Sequence, residues 1–374
     1  MQIAVDRILR NAGAIDKLRI AAFTKYDREA ASTRQRILQY LPAMERAGIE
    51  VDWHPLLDAD YVRSLATGHT VSKFRIGLAY IRRLGQLLRR PRGDVLWIYA
   101  ELFPYLPGWA ERLAFLSGRP VVYDFDDAFF IPYEDHRRPL VRRLLAGKLD
   151  SLMAGAAACC CGNQYLRDHA AARNNRAMIL PTVVDTDLYV PAASRNPTGP
   201  LVVGWIGSPT TWHNVRPLLQ LLRSLCETYG VRVRVIGAGI AAEQDRFVGL
   251  DLIDWTEAGE VLDVQAMDIG IMPLLDLPFQ RGKSGYKLIQ YMASGVPVVA
   301  SPVGVNRQIV VPGENGFLAT GETEWREALT QLIADGELRA RLGSAGRAAA
   351  VANYSLASQA PRLIDLFRSM DPAR

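Results

Sequence analysis

The chain is poor in metal-binding and redox-active residues and in long apolar runs. Its 374 residues include only four cysteines and five histidines. No stretch reaches the roughly 18 consecutive apolar residues that a membrane-spanning helix needs. The first 20 positions also carry six charges where a secretory signal would need an apolar core. These are Asp6, Arg7, Arg10, Asp16, Lys17 and Arg19. We therefore expect a cytoplasmic protein.

The cysteines favour a structural role in a reducing compartment. Cys159, Cys160 and Cys161 are adjacent in an apolar run, whereas Cys226 stands alone. Neighbouring side chains of a strand point to opposite faces, so the three cannot converge on one ion. Zinc sites use spaced soft ligands, and the few histidines are scattered. We expect buried cysteines and neither a metal nor a cofactor.

Basic charge is concentrated in the first half of the chain. Residues 1–190 hold 27 basic and 21 acidic side chains, against 17 and 18 in the remainder. In the second of two Arg-rich patches, leucines recur at helical spacing, which suits either an anionic membrane surface or a solvated helix face. Aromatic and basic residues do not alternate along any predicted strand, so the sequence does not indicate nucleic-acid binding. The patches are Arg82, Arg83, Arg89, Arg90 and Arg92, then Arg137, Arg138, Arg142, Arg143 and Lys148, with Leu140, Val141, Leu144, Leu145 and Leu149.

Short apolar runs alternate with helical periodicity along most of the chain, which predicts an α/β fold with parallel sheets. The alternation stops at residues 190–200, where three prolines indicate a linker, and then restarts. We predict two Rossmann-like lobes, residues 1–190 and 200–354. Ligands of such sheets bind at the carboxyl ends of the strands, so the lobes should face a central cleft.

The segment 282–304 contains the clearest binding motif. Lys283, Ser284 and Gly285 precede an amphipathic helix whose first turn offers free N–H groups and a positive dipole end. Lys287 adds a further positive charge one turn later. This start of a helix predicts a diphosphate site, although a plain loop and buried helix remains the alternative.

The passage resembles the nucleotide-binding lobe of family 4 glycosyltransferases of the GT-B fold, and the likeness continues through residues 306–318. The family pattern has two Glu residues with seven residues between them, the first touching the donor sugar and the second the nucleotide ribose. Gly282 and Gln290 occupy those positions here. The resemblance implies that the Gln290 amide oxygen replaces the second carboxylate. Because Gly282 has no side chain, the resemblance also implies an altered sugar pocket in which Arg281 or Lys283 replaces the first glutamate.

Two further loops are expected to approach the donor. Gly207 and Ser208 follow the first strand of the second lobe and form a second phosphate-facing loop. Gly237 lies in a Gly-x-Gly-x-x-Ala sequence, residues 237–242, which also imitates a dinucleotide fingerprint. Because this sequence follows the second strand of its lobe, we favour a donor-facing loop over a nicotinamide site.

Three carboxylates end a predicted strand in the first lobe and should point towards the cleft. They are Asp124, Asp126 and Asp127. An Asp-x-Asp pair is also used for metal binding in other glycosyltransferases. By the resemblance, Asp126 and Asp127 instead stand where family 4 enzymes have a His-Asp pair on the acceptor side. At least one of the three is expected to cap a segment or neutralise an arginine.

Together these features predict a metal-independent, hexosyltransferase-like enzyme that uses a nucleoside diphosphate sugar and retains anomeric configuration. Asp126, Asp127 and Lys283 are the candidate catalytic residues. The resemblance implies that the last helix, about 355–374, crosses back onto the first lobe. The basic first lobe favours a lipid-linked glycan acceptor of polysaccharide biosynthesis at the inner membrane face. The alternatives are a catalytically lapsed sugar-nucleotide-binding protein and an NAD(P)-dependent oxidoreductase.

Overall fold

The computed structural model describes residues 17–67, 71–89, 93–192 and 199–371. Two parallel six-stranded sheets form its frame, which confirms the predicted pair of Rossmann-like lobes. The first sheet has the order β2-β1-β3-β4-β5-β6 and the second β12-β11-β10-β7-β8-β9. The first six strands are β1 Arg19–Tyr26, β2 Glu50–Leu57, β3 Val95–Tyr99, β4 Val121–Phe125, β5 Ala158–Cys161 and β6 Ala177–Ile179. The others are β7 Val202–Ile206, β8 Arg232–Ile236, β9 Leu250–Ile253, β10 Ile269–Met272, β11 Val298–Ala300 and β12 Gly316–Leu318.

Helices connect the strands on both faces of each sheet. The first lobe has α1 Ala31–Arg36, α2 Leu41–Arg46, α3 Ala59–Thr67, α4 Lys73–Leu88, α5 Gly108–Glu111, α6 Ile131–Glu134, α7 Pro139–Leu145, α8 Asp150–Gly155 and α9 Gln164–Ala171. The second part has α10 Leu219–Tyr229, α11 Glu260–Gln265, α12 Pro278–Arg281, α13 Tyr286–Ala293, α14 Asn306–Ile309, α15 Glu322–Ala334, α16 Gly336–Tyr354 and α17 Leu356–Arg368. None of the described helices is long and apolar enough to cross a bilayer.

The last helix packs on the first lobe, as the family resemblance implied. Leu363 and Phe367 of α17 are fully buried in the cluster that holds Trp97 of β3. The Phe367 and Trp97 rings meet edge to face at 5.2 Å between centroids. The final residues 372–374 of the predicted helix, residues 1–16 of the first predicted domain and residues 193–198 of the predicted linker lie outside the described part.

Two stretches differ from the sequence-based expectation. The helical period over 33–47 predicts one helix, but the chain forms α1, a 3-10 turn at Leu38–Tyr40 and α2. Proline at the start of α2 removes a backbone donor and fits this break. The 19-residue α16 was not predicted, because its Ala- and Gly-rich sequence has little amphipathic pattern.

The buried cysteines agree with the prediction, but two members of the basic patches do not. Cys159, Cys160 and Cys161 are fully buried in β5, whereas Cys226 is only partly buried. Arg83 is 1% exposed and donates hydrogen bonds to the carbonyls of residues 24 and 54. Arg90 and Arg92 lie outside the described residues.

Lys148 belongs to a buried charge cluster rather than to a surface patch. Its Nζ lies 2.8 Å from Glu101 Oε2 and 2.9 Å from Glu111 Oε1. Burial alone would raise the pKa of Glu101, but Lys25 and Lys148 hold that pKa below its usual value. Tyr133 also donates a 2.6 Å hydrogen bond to Glu101. The cluster holds the loop after β3 to the later part of the lobe.

We expect Lys148→Ala to lower the free energy of unfolding by about 3–5 kcal/mol, because it leaves two buried carboxylates with an unfilled partner position. Arg143→Ala, in the same predicted patch but exposed, should change it by less than about 0.5 kcal/mol. Urea titration followed by circular dichroism measures both. Equal effects of the two substitutions would contradict the assignment of Lys148 to the core.

Candidate functional site

The two lobes touch at Gly282, where the absence of a side chain is a steric requirement. A Cβ at this position would lie 2.6 Å from Ala128 Cβ and 2.9 Å from Ala128 N. Asn163, at the start of α9, donates hydrogen bonds of 2.9 Å to the carbonyls of Gly282 and Lys283. Its side-chain oxygen simultaneously accepts from Leu166 N and caps α9. Asn163 was not among the predicted site residues, although an N-cap at a strand end is a recognisable signal.

An ion pair crosses the cleft beside this contact. Lys283 Nζ lies 2.8 Å from Asp127 Oδ2, and both side chains are about one-fifth exposed. The lysine also lies over the Phe279 ring, 4.6 Å from its centroid. Burial raises the pKa of Asp127, and the charge of Lys283 opposes that rise. The structure thus brings together two of the three predicted catalytic residues.

The three aspartates that end β4 have different surroundings. Asp124 was predicted to point towards the cleft, but it is buried against Arg36. The Nη2 of Arg36 lies 2.6 Å from the Oδ1 of Asp124. This is the predicted case of a carboxylate that neutralises an arginine. Asp126 is 4% exposed and accepts hydrogen bonds from Tyr99 at 2.7 Å and Thr182 at 3.2 Å. Asp126 therefore joins the ends of β3, β4 and the segment after β6, while Asp127 reaches the other lobe.

The start of α13 has the geometry that the motif predicted. Gly285 is the N-cap and has φ +71°, a left-handed conformation that favours glycine. A Cβ there would also meet Ile309 Cδ1 at 2.3 Å. Ser284 is half-buried beside it. The first N–H groups of the helix are thereby left for a ligand.

Lys287 is a poorly partnered cation one turn into α13. Burial and the charge of Lys283 lower its pKa to about 8. Its Nζ lies 5.6 Å from the centroid of the Trp205 ring, and within the described part of the chain it has no hydrogen-bonding side chain. A cation held in this state gains from an anionic ligand.

The two predicted glycine loops lie against each other. A Cβ at Gly237 would come 2.3 Å from the carbonyl oxygen of Gly207, and Gly237 has φ +77°. Gly207 itself has no room for a side chain against the Trp205 ring. Ser208 is exposed and begins the 3-10 helix Pro209–Asn214, where it forms a capping box with Thr211. Both glycines thus bring the ends of β7 and β8 together.

Gln290 lies in a polar network that contains a carboxylate missed by sequence reasoning. Its Nε2 donates to Glu260 Oε1 at 2.7 Å and to Tyr189 Oη at 2.8 Å. Tyr189 also donates to Glu260, which accepts a further 2.6 Å bond from Trp255 Nε1. Since its nitrogen has two acceptors, the Gln290 amide is oriented with Oε1 away from Glu260. Glu260 is far from residue 290 in sequence, and only the fold reveals the pair.

A cavity of about 680 Å³ lies between the lobes next to this network. Arg34 and Gln35 line it from the first lobe, and Glu257 and Glu260 from the second. The Arg34 guanidinium stacks over the Trp255 ring at 4.7 Å. The cavity therefore combines polar groups of both lobes.

The dinucleotide alternative receives no support from the local fold. Residues 239–245 after the Gly237 turn form a seven-residue 3-10 helix, too short for the phosphate-binding helix of a dinucleotide site.

In the described ranges, no three His, Cys, Asp or Glu side chains are grouped so that they could hold a metal ion.

Comparisons with known proteins identify the second lobe. Residues 200–335 match the family model of the glycosyl transferases group 1. A D-inositol 3-phosphate glycosyltransferase of Corynebacterium urealyticum is 26% identical over 63% of this chain and 61% of its own length. Its counterpart in Xylanimonas cellulosilytica is 33% identical over 34% of this chain and 27% of its own. The chain thus spans less than two thirds of the length of these relatives.

Solved structures extend the likeness to both lobes. Sucrose-phosphate synthase from Thermosynechococcus elongatus has a TM-score of 0.74 at 14% identity and covers 96% of this chain and 100% of its own. Anabaena Alr3699/HepE in complex with UDP and glucose has a TM-score of 0.70 at 16% identity, with 94% and 100% covered. The chain has the GT-B fold. Its residues 200–335 are similar to the glycosyl transferases group 1, and the predicted resemblance to family 4 is confirmed.

We expect Gly282→Ala to hold the lobes apart, because the new methyl group overlaps Ala128. A reaction that uses groups of both lobes should slow on the order of 100-fold, since small misplacements have effects of this size. Gly321→Ala is the matched control, for Gly321 has nothing within 4 Å of its Cβ position. Small-angle scattering measures lobe separation, and turnover of donor measures activity. An unchanged Gly282→Ala protein would contradict the role of this contact.

Nucleoside diphosphate affinity should fall as pH rises through about 8, because Lys287 then loses the charge that the ligand requires. Affinity should be level below this pH and decline up to about tenfold per unit above it. Lys287→Met should bind more weakly and without this dependence. Isothermal titration between neutral and mildly alkaline pH is the measurement. A wild-type affinity that stays constant over this range would exclude Lys287 from the site.

Proposed function

We propose that the protein transfers a sugar from a nucleoside diphosphate sugar to an acceptor hydroxyl with retention of anomeric configuration, without a metal or other cofactor. The observation that carries this proposal is the ion pair between Lys283 and Asp127 across the cleft. It lies beside the start of α13, where a diphosphate would find free N–H groups and Lys287.

The proposed donor lies along one side of α13. Lys287 and Gln290 are three positions apart in α13 and lie on one side of the helix, and Lys283 precedes the N-cap Gly285. The diphosphate would contact Lys287, Ser284 and the loops of Gly207 and Gly237. The ribose would donate to Gln290 Oε1, with Glu260 holding the amide in place. Because Anabaena Alr3699/HepE is described with UDP-glucose, this donor is the first to test.

Departure of the diphosphate would drive the reaction. Negative charge grows on its oxygen as the sugar bond breaks, and fixed positive groups stabilise that charge by roughly 3 kcal/mol for each well-placed donor. The acceptor hydroxyl would attack from the face that the diphosphate leaves, and its proton would pass to a diphosphate oxygen. No protein nucleophile is needed. Once Lys283 turns to the diphosphate, Asp127 is released to orient the acceptor, and Asp126 fixes the end of β4.

For the acceptor we propose a lipid-linked glycan or polysaccharide precursor at the cytoplasmic face of a membrane. The predicted patch around α7 supports this in part. Arg142 and Arg143 are exposed, as are Leu140 and Leu144, at 67% and 56%. Lys148 does not contribute, because it is buried.

A protein that binds sugar nucleotides without catalysis is the second candidate, favoured by Gly282 in the position of the family's first Glu. Both candidates place a nucleoside diphosphate at α13. They differ in turnover, because only the enzyme hydrolyses or transfers the donor.

A thermal-shift panel of UDP, GDP, ADP, dTDP, their sugars and NAD(P)H tests the site. A nucleoside diphosphate at about 100 times its dissociation constant should stabilise the protein by roughly 2.7 kcal/mol. We expect Lys283→Ala to reduce that shift. Asp127→Asn breaks the same ion pair but keeps the lysine, so it should retain the shift.

A shift with NAD(P)H alone would overturn the proposal. Release of nucleoside diphosphate from a stabilising sugar nucleotide distinguishes the enzyme from the binding protein. Binding with no release in the presence of lipid extracts would favour the second candidate.

A further inference from the structure

Helix α4 presents an apolar stripe to solvent. Phe74 is 74% exposed, Ile81 68% and Leu88 59%. These residues recur every seven positions and therefore lie on one side of the helix, about 21 Å long from first to last. Leu78 and Leu84 are also exposed on this side, at 49% and 38%. A contiguous exposed stripe of this kind marks a contact surface.

The rest of α4 shows that this orientation is fixed. Arg83 and Leu87 on the opposite side are buried, and Arg83 donates hydrogen bonds to carbonyls at the ends of β1 and β2. Tyr80 donates to the carbonyl of Pro104. The helix is therefore held by its inner side and cannot turn its apolar stripe inwards.

Cations flank the stripe. The sequence from residue 73 to 89 contains no acidic residue. Lys73 and Arg89 are exposed, and neither has an acidic partner in the part of the chain that the structure describes. Arg82 is also exposed and without an acidic partner there, but it donates hydrogen bonds to the carbonyls of Pro55 and Leu56. Arg75 differs, because Asp58 and Asp60 neutralise it. The exposed stripe thus has uncompensated positive charge beside it.

We propose that α4 lies on an anionic lipid bilayer, with the stripe at the headgroup boundary and Lys73 and Arg89 at lipid phosphates. An amphipathic helix with apolar residues on one side and basic residues at its flanks has this affinity. A second copy of the chain fits poorly, since a symmetric contact through α4 would oppose cations to cations. The seven-residue α7 offers only two exposed leucines and is the weaker candidate.

The position of α4 connects this surface to the cleft. The helix follows β2 and precedes β3 in a parallel sheet, so its Lys73 end lies at the carboxyl edge of the strands, where the cleft opens. This step rests on the proposed function, because it supplies a lipid-linked acceptor to the cleft. The lipid contact itself is measurable without activity.

Flotation with vesicles of phosphatidylcholine and phosphatidylglycerol tests the contact. We expect wild-type protein to float at low salt and to be released by high salt. The double variant Phe74→Glu/Ile81→Glu should partition on the order of 100-fold more weakly, because two buried apolar contacts are lost. Ile240→Glu/Val248→Glu, at exposed apolar positions of the second lobe, is the matched control and should float like wild type. Lys73→Gln/Arg89→Gln should weaken binding about fivefold per charge.

Wild-type protein that stays in the soluble fraction would overturn the proposal, as would a Phe74→Glu/Ile81→Glu variant that floats normally. Dimerisation in sedimentation equilibrium that this variant abolishes would assign the stripe to a second copy instead. Thermal shifts with nucleoside diphosphate separate the two proposals. Normal flotation without any thermal shift by nucleoside diphosphate would count against the proposed function alone. A thermal shift by nucleoside diphosphate without flotation would count against the lipid contact alone.

Discussion

The close approach of the two lobes at Gly282 is the constraint on which the candidate site depends. With no side chain there, Ala128 of the first lobe reaches the backbone of the second, and Asn163 binds two of its carbonyls. The same approach brings Lys283 within 2.8 Å of Asp127. A glutamate at position 282, as in the family pattern, could not be placed in this arrangement without separating the lobes. The lobe contact therefore requires the glycine that replaces the family's glutamate at position 282.

The predictable parts of the fold are those with a strong local pattern. Alternating apolar strands and helices predicted both sheets, and the adjacent cysteines were correctly assigned to the core because side chains of a strand alternate between two buried faces. The start of α13 was predictable from glycine and lysine alone. Helix α16 was missed because it packs through small residues: Gly343 allows the helix to approach the carbonyl of Gly295. Such packing leaves no periodic apolar signal.

Charge was harder to interpret than hydrophobicity. Arg83 and Lys148 have the same sequence surroundings as their exposed neighbours, yet both are buried with fixed partners. Those partners are distant in sequence: Lys148 meets Glu101 and Glu111, which both precede β4, α6 and α7. A sequence pattern identifies a basic segment but not which of its cations the fold will neutralise. The positive charge that remains at the surface can be assigned only when the buried cations and their partners are known.

The pair of Gln290 and Glu260 shows how the chain could keep a carboxylate at the proposed ribose site while changing position 290. A glutamate at 290 would lie about as close to Glu260 as the present 2.7 Å contact, and two carboxylates at that distance cannot both stay ionised. Glutamine removes the repulsion and donates to the carboxylate instead. It also leaves its own oxygen to accept, so the network offers the donor an acceptor fixed in orientation. Glutamine at 290 and glutamate at 260 are therefore best understood as one unit, whose members depend on each other.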